Sequence, residues 1–448
     1  MSADGRTWRI KLRDGLKFHD AQPVRAVDCI ASLQRFAAVD EFGKLLGKVV
    51  DKWGTVDDRT LEIKLNKPFP LMLDVLAKSD SRVPFIMPER LAKTPATTQI
   101  TEVIGSGPYR FLANEFNSGN RVAYAKFNDY VPRTEAPNWA SGAKIAHYDR
   151  VEWNIITDAA TAVAALRNGE VVWWEAPTAD LIPILKKNSR IKTMIQNPAG
   201  NCAVMRLNNL QVPFNSEAMH RVVMMAVDQE DYMSAVYGTD DKTVWQTCFS
   251  LFPCTTPYES EDGAALLKGT HAPDAVKKAL EVAGYNGERV VILNPTDFPP
   301  IGPLGQVTYA ALKKAGMNVE LAESDWGTVI QRRANREALD KGGWSIFHTW
   351  GAGTAWATPA VAATVRGLGK DGWFGWWDNP AVETMVAQWL EAPDDAGRKR
   401  LADAINKAAL EGVASIALGQ AFIRTMFRDN VTGMAEGGAP YPWGIKPA

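Results

Sequence analysis

The sequence has no apolar run long enough to cross a membrane and no excess of charge of either sign. A membrane-spanning helix needs about 18 or more apolar residues in succession, and no segment approaches that length. The 448 residues include 50 lysines and arginines against 51 aspartates and glutamates, which gives a formal net charge of −1. This balance gives no indication of a nucleic-acid partner or of binding to a membrane surface.

The short motifs of common enzyme classes are also missing. We find no G-x-S-x-G, no H-E-x-x-H, no phosphate loop of the G-x-x-x-x-G-K-[ST] type and no G-x-G-x-x-G that opens a helix. The five histidines are scattered along the chain, and none has another at metal-ligand spacing. We therefore predict a protein that is not an enzyme, with no catalytic residues, no metal site and no cofactor. A catalytic triad assembled from distant segments would leave no motif, so a hydrolase remains an alternative.

Cysteine is scarce, with four residues at positions 29, 202, 248 and 254. The spacing of Cys248 and Cys254 fits no usual zinc pattern. In an oxidising compartment these two would close a small loop, and the alternative is four unlinked thiols. The first five residues lack the positive start and apolar stretch of a signal peptide, which by itself indicates a cytoplasmic location.

Strands and helices alternate along the chain. Residues 7–12 and 60–65 alternate apolar with polar side chains, as half-buried strands do. Asp158 is placed to cap a helix that stops at Gly169. After Pro213 the alternation becomes regular, with buried strands predicted at 290–293, 319–321 and 344–349 and helices starting at 216, 273, 380 and 394. This pattern predicts an α/β unit with a largely parallel sheet.

Tryptophan is abundant, with sixteen residues, of which eight lie between Trp326 and Trp389. For any one of them, packing in a core is the alternative to a role in binding. Trp350 and Trp356 lie among Gly351 and Gly353 just past the end of a predicted strand. Ligands bind at that position in open α/β sheets, so these four residues are predicted to line a pocket.

Several segments, in order and in register over nearly the whole chain, resemble the peptide/nickel-type family (family 5) of solute-binding proteins that serve ABC importers. They are TWRIKLRDGLKFHD at 7–20, GSGPYRF at 105–111, ALRNGEV at 165–171, LNN at 207–209 with PF at 213–214 and AVD at 226–228, and the helices at 275–285 and 380–395. Each segment alone is weakly specific. Their shared order makes the resemblance specific.

The resemblance implies an α/β protein with the two-lobed, type II-like periplasmic-binding-protein fold. Lobe I would comprise 1–210 and 421–448, with an accessory subdomain at 22–104, and lobe II would comprise 211–420. Family members carry a signal peptide and further lobe I strands before the segment that here starts at Thr7. The resemblance therefore implies that these strands are missing from this chain, and that the protein is periplasmic although no signal peptide is seen.

The resemblance also implies a function, which is to capture a small molecule between the lobes and deliver it to ABC permease subunits as a monomer. To the pocket residues Trp350, Gly351, Gly353 and Trp356 we add the following three candidates: His348, Asn208 and Gln420. For Asn208 the alternative is a structural hydrogen-bonding role at the hinge.

The ligand is predicted to be peptide-like or another small organic solute. Peptide-binding members carry an aspartate shortly after the tryptophan of this strand, where it pairs with the ligand's α-ammonium. Here Trp350-Gly351-Ala352 is followed by Gly353, so we expect weak binding of free dipeptides. Besides a hydrolase on a related scaffold, a ligand-sensing regulator built on this module is a further alternative.

Overall fold

The structure is a computed structural model that describes residues 1–78, 83–96, 98–239 and 241–448. The strands are β1 Thr7–Lys11, β2 Val50–Asp57, β3 Thr60–Leu65, β4 Tyr109–Phe111, β5 Arg121–Lys126, β6 Arg150–Asn154, β7 Trp173–Trp174, β8 Ile191–Ile195, β9 Asn201–Leu207, β10 Trp245–Gln246, β11 Arg289–Pro295, β12 Asn318–Ser324, β13 Ile346–Ala352, β14 Ile416–Ala421, β15 Arg424–Arg428, β16 Val431–Thr432 and β17 Lys446–Pro447. The α-helices are α1 Ala26–Val39, α2 Glu41–Val49, α3 Met72–Leu76, α4 Glu89–Ala92, α5 Ala159–Asn168, α6 Ile182–Lys186, α7 Glu217–Met225, α8 Gln229–Tyr237, α9 Pro273–Val282, α10 Gly302–Lys314, α11 Trp326–Arg332, α12 Pro380–Glu391 and α13 Asp395–Glu411.

The chain divides into two compact units. Unit 1 comprises Met1–Pro177, Pro183–Gln196 and Arg424–Ala448, and unit 2 comprises Thr178–Ile182 and Asn197–Ile423. The main passages between them therefore fall at 196/197 and 423/424, whereas the lobe boundaries predicted from the sequence are at 210/211 and 420/421. The first passage lies earlier because β9, which the prediction gave to lobe I, is a strand of the unit 2 sheet.

Unit 1 contains small antiparallel sheets with the strand orders β1-β3-β2, β4-β5-β6 and β7-β15-β8, and a separate pair of β16 with β17. In the first sheet the predicted alternation holds, because Leu61, Ile63 and Leu65 are buried. Strand β1 pairs with β3 along its whole length, from Thr7 opposite Lys64 to Lys11 opposite Thr60. It is the outer strand of this sheet as the described residues form it.

Unit 2 is organised around a six-stranded sheet with the order β10-β14-β9-β13-β11-β12. Strand β11 runs parallel to β12 and to β13, whereas the β13–β9, β9–β14 and β14–β10 pairs are antiparallel. The prediction of a largely parallel sheet is therefore wrong. The reason lies in the path of the chain, which enters unit 2 just before β9 and leaves it just after β14. Two neighbouring strands that respectively start and end at one place must run in opposite directions, and Asn201 lies opposite Ala421.

The carboxyl ends of several strands lie at one edge of this sheet. The carboxyl ends of β11 and β12 lie side by side, with Pro295 opposite Ser324. The carboxyl end of β13 lies at the same edge, where Ala352 is opposite Asn201 at the start of β9. We call the edge formed by the carboxyl ends of β11, β12, β13 and β14 and the start of β9 the carboxyl edge. It is the part of the sheet at which ligands bind in related architectures.

The helix boundaries predicted from capping residues are largely confirmed. The Asp158 carboxylate accepts a hydrogen bond from the Thr161 N–H at 2.7 Å, and Gly169 ends α5 with a left-handed φ of 84°. Asp394 caps α13 in the same way, and Pro273 is the first residue of α9.

Cys248 and Cys254 form a disulfide, which closes a loop between β10 and α9. Cys29 and Cys202 are free thiols. The sequence had left the pairing of Cys248 with Cys254 open. Within the described ranges, no helix is both long enough and apolar enough to cross a membrane.

Candidate functional site

Three aromatic side chains form a row at the carboxyl edge. Trp350 lies at the end of β13, and the ring of Phe298 is roughly parallel to its indole, with ring centroids 6.4 Å apart and 30° between the planes. Phe298 also stacks with Trp326, at 5.1 Å and 28°. We call Trp326, Phe298 and Trp350 the aromatic row. Stacked rings of this kind offer a ligand apolar contact at little cost in side-chain entropy.

The aromatic row is held by the turns that follow β11 and β12. Asp325 caps α11 by accepting the Thr328 N–H at 2.9 Å, which places Trp326 at the first position of that helix. The Trp326 N–H donates to the Asp297 carboxylate at 2.7 Å. Because Asp297 directly precedes Phe298, this bond fixes the two rings relative to each other.

Trp356 takes a different position from Trp350. Trp350 is half-buried, whereas Trp356 is 7% exposed and meets Trp373 edge-on, with centroids 6.2 Å apart. The Trp356 indole lies against Gly351, where a Cβ would approach its Cε2 to 2.7 Å. Gly351 is therefore required for Trp356 to pack on the strand. Trp350 is the more exposed of the two indoles, and the shared pocket of Trp350, Gly351, Gly353 and Trp356 stays a prediction.

Gly353 is enclosed by the segment that leads into β9. Its N–H donates to the Gly200 carbonyl at 2.7 Å, and a Cβ at this position would lie 2.2 Å from the Ala199 carbonyl oxygen. Real Cβ atoms do not approach an oxygen so closely. The absence of a side chain at 353 is thus a packing requirement here, besides removing the carboxylate found in peptide-binding members.

Gln420 is fully buried and uses its whole amide inside unit 2. Its Nε2 donates to the carbonyls of Ala199 at 2.7 Å and Cys254 at 3.1 Å. Its Oε1 accepts from Gln246 Nε2 at 3.2 Å. These bonds tie the end of β14 to the loop before β9. They support a structural role, and direct contact of Gln420 with a ligand stays a prediction.

Asn208 is also fully buried, and it follows the carboxyl end of β9, away from the end at which Asn201 pairs with Ala352. Its Nδ2 donates to the Trp344 carbonyl at 2.8 Å, and its Oδ1 accepts from the Leu210 N–H at 3.0 Å. The structure therefore does not bring Asn208 to the aromatic row. Its contacts support a structural role, but one inside unit 2 rather than at the hinge, because the chain passes between the units at 196/197.

His348 belongs to a buried polar chain beneath the site. The side chain is 1% exposed, and its Nε2 lies 2.7 Å from Thr308 Oγ1, which in turn lies 2.9 Å from the Tyr232 hydroxyl. Burial lowers the pKa of His348 to about 3, so the imidazole is neutral in the folded protein near neutral pH. His348 is therefore placed to support β13 against α10.

The buried imidazole predicts a loss of stability in acid. The unfolded chain takes up a proton at His348 below its ordinary pKa of about 6.5, whereas the folded chain does so only near the lowered value. The contribution of the neutral imidazole to the free energy of unfolding is fully present above the ordinary pKa. As the pH falls from that value towards the lowered one, this contribution decreases by about 1.4 kcal/mol per pH unit. We expect His348→Gln to reduce the stability lost between about pH 7 and about pH 5, as measured by urea unfolding.

Thr308→Val provides the control for this prediction. It removes the hydrogen-bond partner but keeps the imidazole, so stability should fall at both pH values with the dependence on pH retained. An identical pH dependence in wild type and His348→Gln would contradict the assignment.

Sequence reasoning missed Phe298 and Trp326 as members of the site. Both follow the carboxyl end of a predicted strand, which is the signal that singled out Trp350. Trp350 is distinguished from them in the sequence by the glycines that follow it, whereas Phe298 is followed by prolines. Among the residues that the structure describes, no group of three or more histidine, cysteine, aspartate or glutamate side chains is arranged to hold a metal ion.

Comparison with solved structures identifies the fold. The agropinic acid complex of the periplasmic binding protein AgaA from Agrobacterium tumefaciens R10 matches all of this chain and 88% of its own, with a TM-score of 0.79 and 20% identity. NikA from Staphylococcus aureus, solved with Ni(L-His)2, matches all of this chain and 90% of its own, with a TM-score of 0.78 and 16% identity. The fold is the two-lobed α/β fold of periplasmic binding proteins, as the sequence predicted.

Comparison of sequences identifies the family. Residues 1–372 match the family described as "Bacterial extracellular solute-binding proteins, family 5 Middle", and the chain belongs to this family. A relative named "Probable peptide ABC transporter periplasmic-binding protein" from Sinorhizobium fredii is 35% identical over 450 residues, which cover all of this chain and 84% of the relative. The predicted family is thus confirmed, and so is the role of a solute-binding protein that captures a ligand.

Proposed function

We propose that this protein captures a small organic solute at the carboxyl edge of unit 2, releases it unchanged to ABC permease subunits, and works in the periplasm as a monomer. The observation that carries the proposal is Trp350, which is half-buried at the end of β13 and lies against Phe298. An indole held in this way provides a flat apolar surface on which a solute can stack.

The periplasmic location is supported by chemistry as well as by family. Disulfides form and persist in oxidising compartments and are rare in the cytosol. The Cys248–Cys254 bond therefore fits an extracytoplasmic protein.

The class of solute is proposed from what position 353 lacks. The relatives are named for peptides, for agropinic acid and for a nickel–histidine complex, so family membership alone does not choose among these ligands. Gly353 offers no carboxylate for an α-ammonium, and the nearby Ala199 carbonyl leaves no room for one. We propose that free dipeptides bind more weakly than solutes without a free α-ammonium.

Trp350→Ala tests the site. A thermal-shift screen of small solutes would find a ligand, and calorimetry would then compare variants. Truncating a central aromatic contact typically costs about 2 kcal/mol, which corresponds to an affinity roughly 30-fold lower. We expect that loss for Trp350→Ala.

Trp53→Ala is the matched control, since Trp53 is a half-buried indole in β2 of unit 1. It should leave the affinity unchanged. Equal affinities in all three proteins would overturn the site assignment. Recovery of the bound solute in altered form would instead favour the hydrolase alternative.

A further inference from the structure

Asn294, near the end of β11, is a buried amide without a partner. Its side chain is 1% exposed, and neither Oδ1 nor Nδ2 has a hydrogen-bond partner among the described residues. Leaving such a group unpaired is energetically costly, so native proteins rarely do so without a reason. Two other buried asparagines of unit 2, Asn208 and Asn406, have partners for both amide atoms.

The Asn294 side chain lies on the side of the sheet that α10 covers. A Cβ on Gly305, in the first turns of α10, would lie 2.1 Å from Asn294 Oδ1. A pocket of about 280 Å³ opens between this strand end and the start of the helix. Its lining residues are Asn294, Pro295, Thr296, Phe298, Pro299, Gly302, Pro303 and Gln306.

The pocket adjoins the aromatic row. Phe298 lines the pocket and also lies against Trp350. The thirteen-residue α10 starts here without a side-chain cap, so its first turn adds positive dipole potential to the pocket. A solute that rests on Trp350 and Phe298 therefore has a polar recess within reach.

We propose that Asn294 is a specificity-determining residue that binds a primary carboxamide of the solute, with Nδ2 donating to the carboxamide carbonyl and Oδ1 accepting one carboxamide N–H. This rests on the proposed function. A primary carboxamide carries a donor and an acceptor on the same side and so matches both atoms of the asparagine at once, whereas the N–H and the carbonyl of a trans secondary amide point in opposite directions. Because position 353 supplies no carboxylate, the solute class is one that carries a primary carboxamide without requiring a free α-ammonium, such as an amino acid amide with an acylated α-nitrogen.

Binding requires a local movement. Both amide atoms of Asn294 are shielded from solvent in this structure. The wall of the pocket without regular structure is the segment 296–301 between β11 and α10. Because Thr296 and Asp297 are held by hydrogen bonds to Ser324 and Trp326, the part of the segment that shifts to admit the carboxamide is 299–301.

Calorimetry on the full chain with three probes tests the inference. N-acetylphenylalaninamide carries a primary carboxamide, N-acetylphenylalanine methyl ester replaces the amide nitrogen by an ester oxygen, and N-acetylphenylalanine N-methylamide carries a trans secondary amide in its place. We expect wild type to bind N-acetylphenylalaninamide about tenfold more tightly than the ester, the effect of losing one well-paired hydrogen bond. The N-methylamide should also bind more weakly than the primary carboxamide, and tighter binding of the N-methylamide would contradict the paired hydrogen bonds.

Asn294→Leu removes the amide at nearly constant volume. It should abolish the preference for amide over ester and, in the ligand-free protein, raise the melting temperature, because an unpaired polar group is replaced by an apolar one. Asn406→Leu is the matched control and should lower the melting temperature, since its partners would be left unpaired.

Two results would overturn the inference. One is a fall in melting temperature for Asn294→Leu as large as that for Asn406→Leu, which would make Asn294 structural. The other is an unchanged preference between the probes, or no binding of any of them by wild type. The proposed function is judged separately, because it fails only if no solute in the wider screen binds in a way that depends on Trp350.

Discussion

Gly353→Asp is expected to destabilise unit 2 by about 3 kcal/mol rather than to create a peptide-binding carboxylate. Any Cβ at 353 would lie 2.2 Å from the Ala199 carbonyl oxygen, which is itself held by Gln420 Nε2. The segment before β9 would have to move and would lose the hydrogen bond from the Gly353 N–H to Gly200. Urea unfolding of the ligand-free protein measures the change.

Gly107→Asp is the control for this substitution. A Cβ at Gly107 would meet no atom within 4 Å, so the same change there should alter stability by less than about 0.5 kcal/mol. If Gly353→Asp kept wild-type stability and gained tight binding of free dipeptides, both the packing argument and the proposed ligand class would fail.

Arg206→Ala is expected to lower the free energy of unfolding by about 4 kcal/mol, more than Gly353→Asp. Arg206 is 1% exposed in β9, and its guanidinium donates to the Phe374 carbonyl at 2.9 Å, to Ser415 Oγ at 2.9 Å and to the Ala414 carbonyl. It also lies over the Trp373 ring, 4.8 Å from the centroid. Truncation would leave a cavity and several buried acceptors without donors.

The charge of Arg206 is stabilised by neutral acceptors, since no carboxylate forms an ion pair with it among the residues described. Burial lowers its pKa to about 9, so it remains charged near neutral pH. Arg206→Lys keeps a charge but not the fork of donors, and should fall between wild type and alanine.

Arg9→Ala serves as the exposed comparison, because the Arg9–Glu62 pair lies at the surface, where solvent screens it, and its loss should change stability far less. Equal losses for Arg9→Ala and Arg206→Ala in chemical unfolding would contradict the role given to the buried guanidinium.

The sequence predicts local structure well where one residue decides it. Asp158 and Gly169 bound α5 because a cap and a left-handed stop act within a few residues. Strand direction is different, since alternation or an apolar run shows that a segment is a strand but not which strand lies beside it. The antiparallel pairing of β9 with β13 joins segments that are far apart in the chain, and no local signal encodes it.

The candidate site shows the same division. Trp350 follows from its position after a buried strand, while Trp344 and Trp376 occupy the core, as the alternative for any tryptophan allowed. The role of each of the other candidate side chains depends on its burial and on its hydrogen-bond partners, and the sequence shows neither. Asn208 and Asn294 both follow or end a strand, yet one has both amide atoms paired and the other has neither.

The pairing of β9 with β14 has a consequence for how unit 2 is built into the chain. Asn201 and Ala421 are direct neighbours across two strands, so more than two hundred intervening residues begin and end at nearly the same point. Chain segments with adjoining ends are those that tolerate being moved, inserted or joined head to tail. The segment from Asn197 to Ile423 is therefore suited to circular permutation or to transfer as one insert, because backbone hydrogen bonds between β9 and β14 already hold its two ends together.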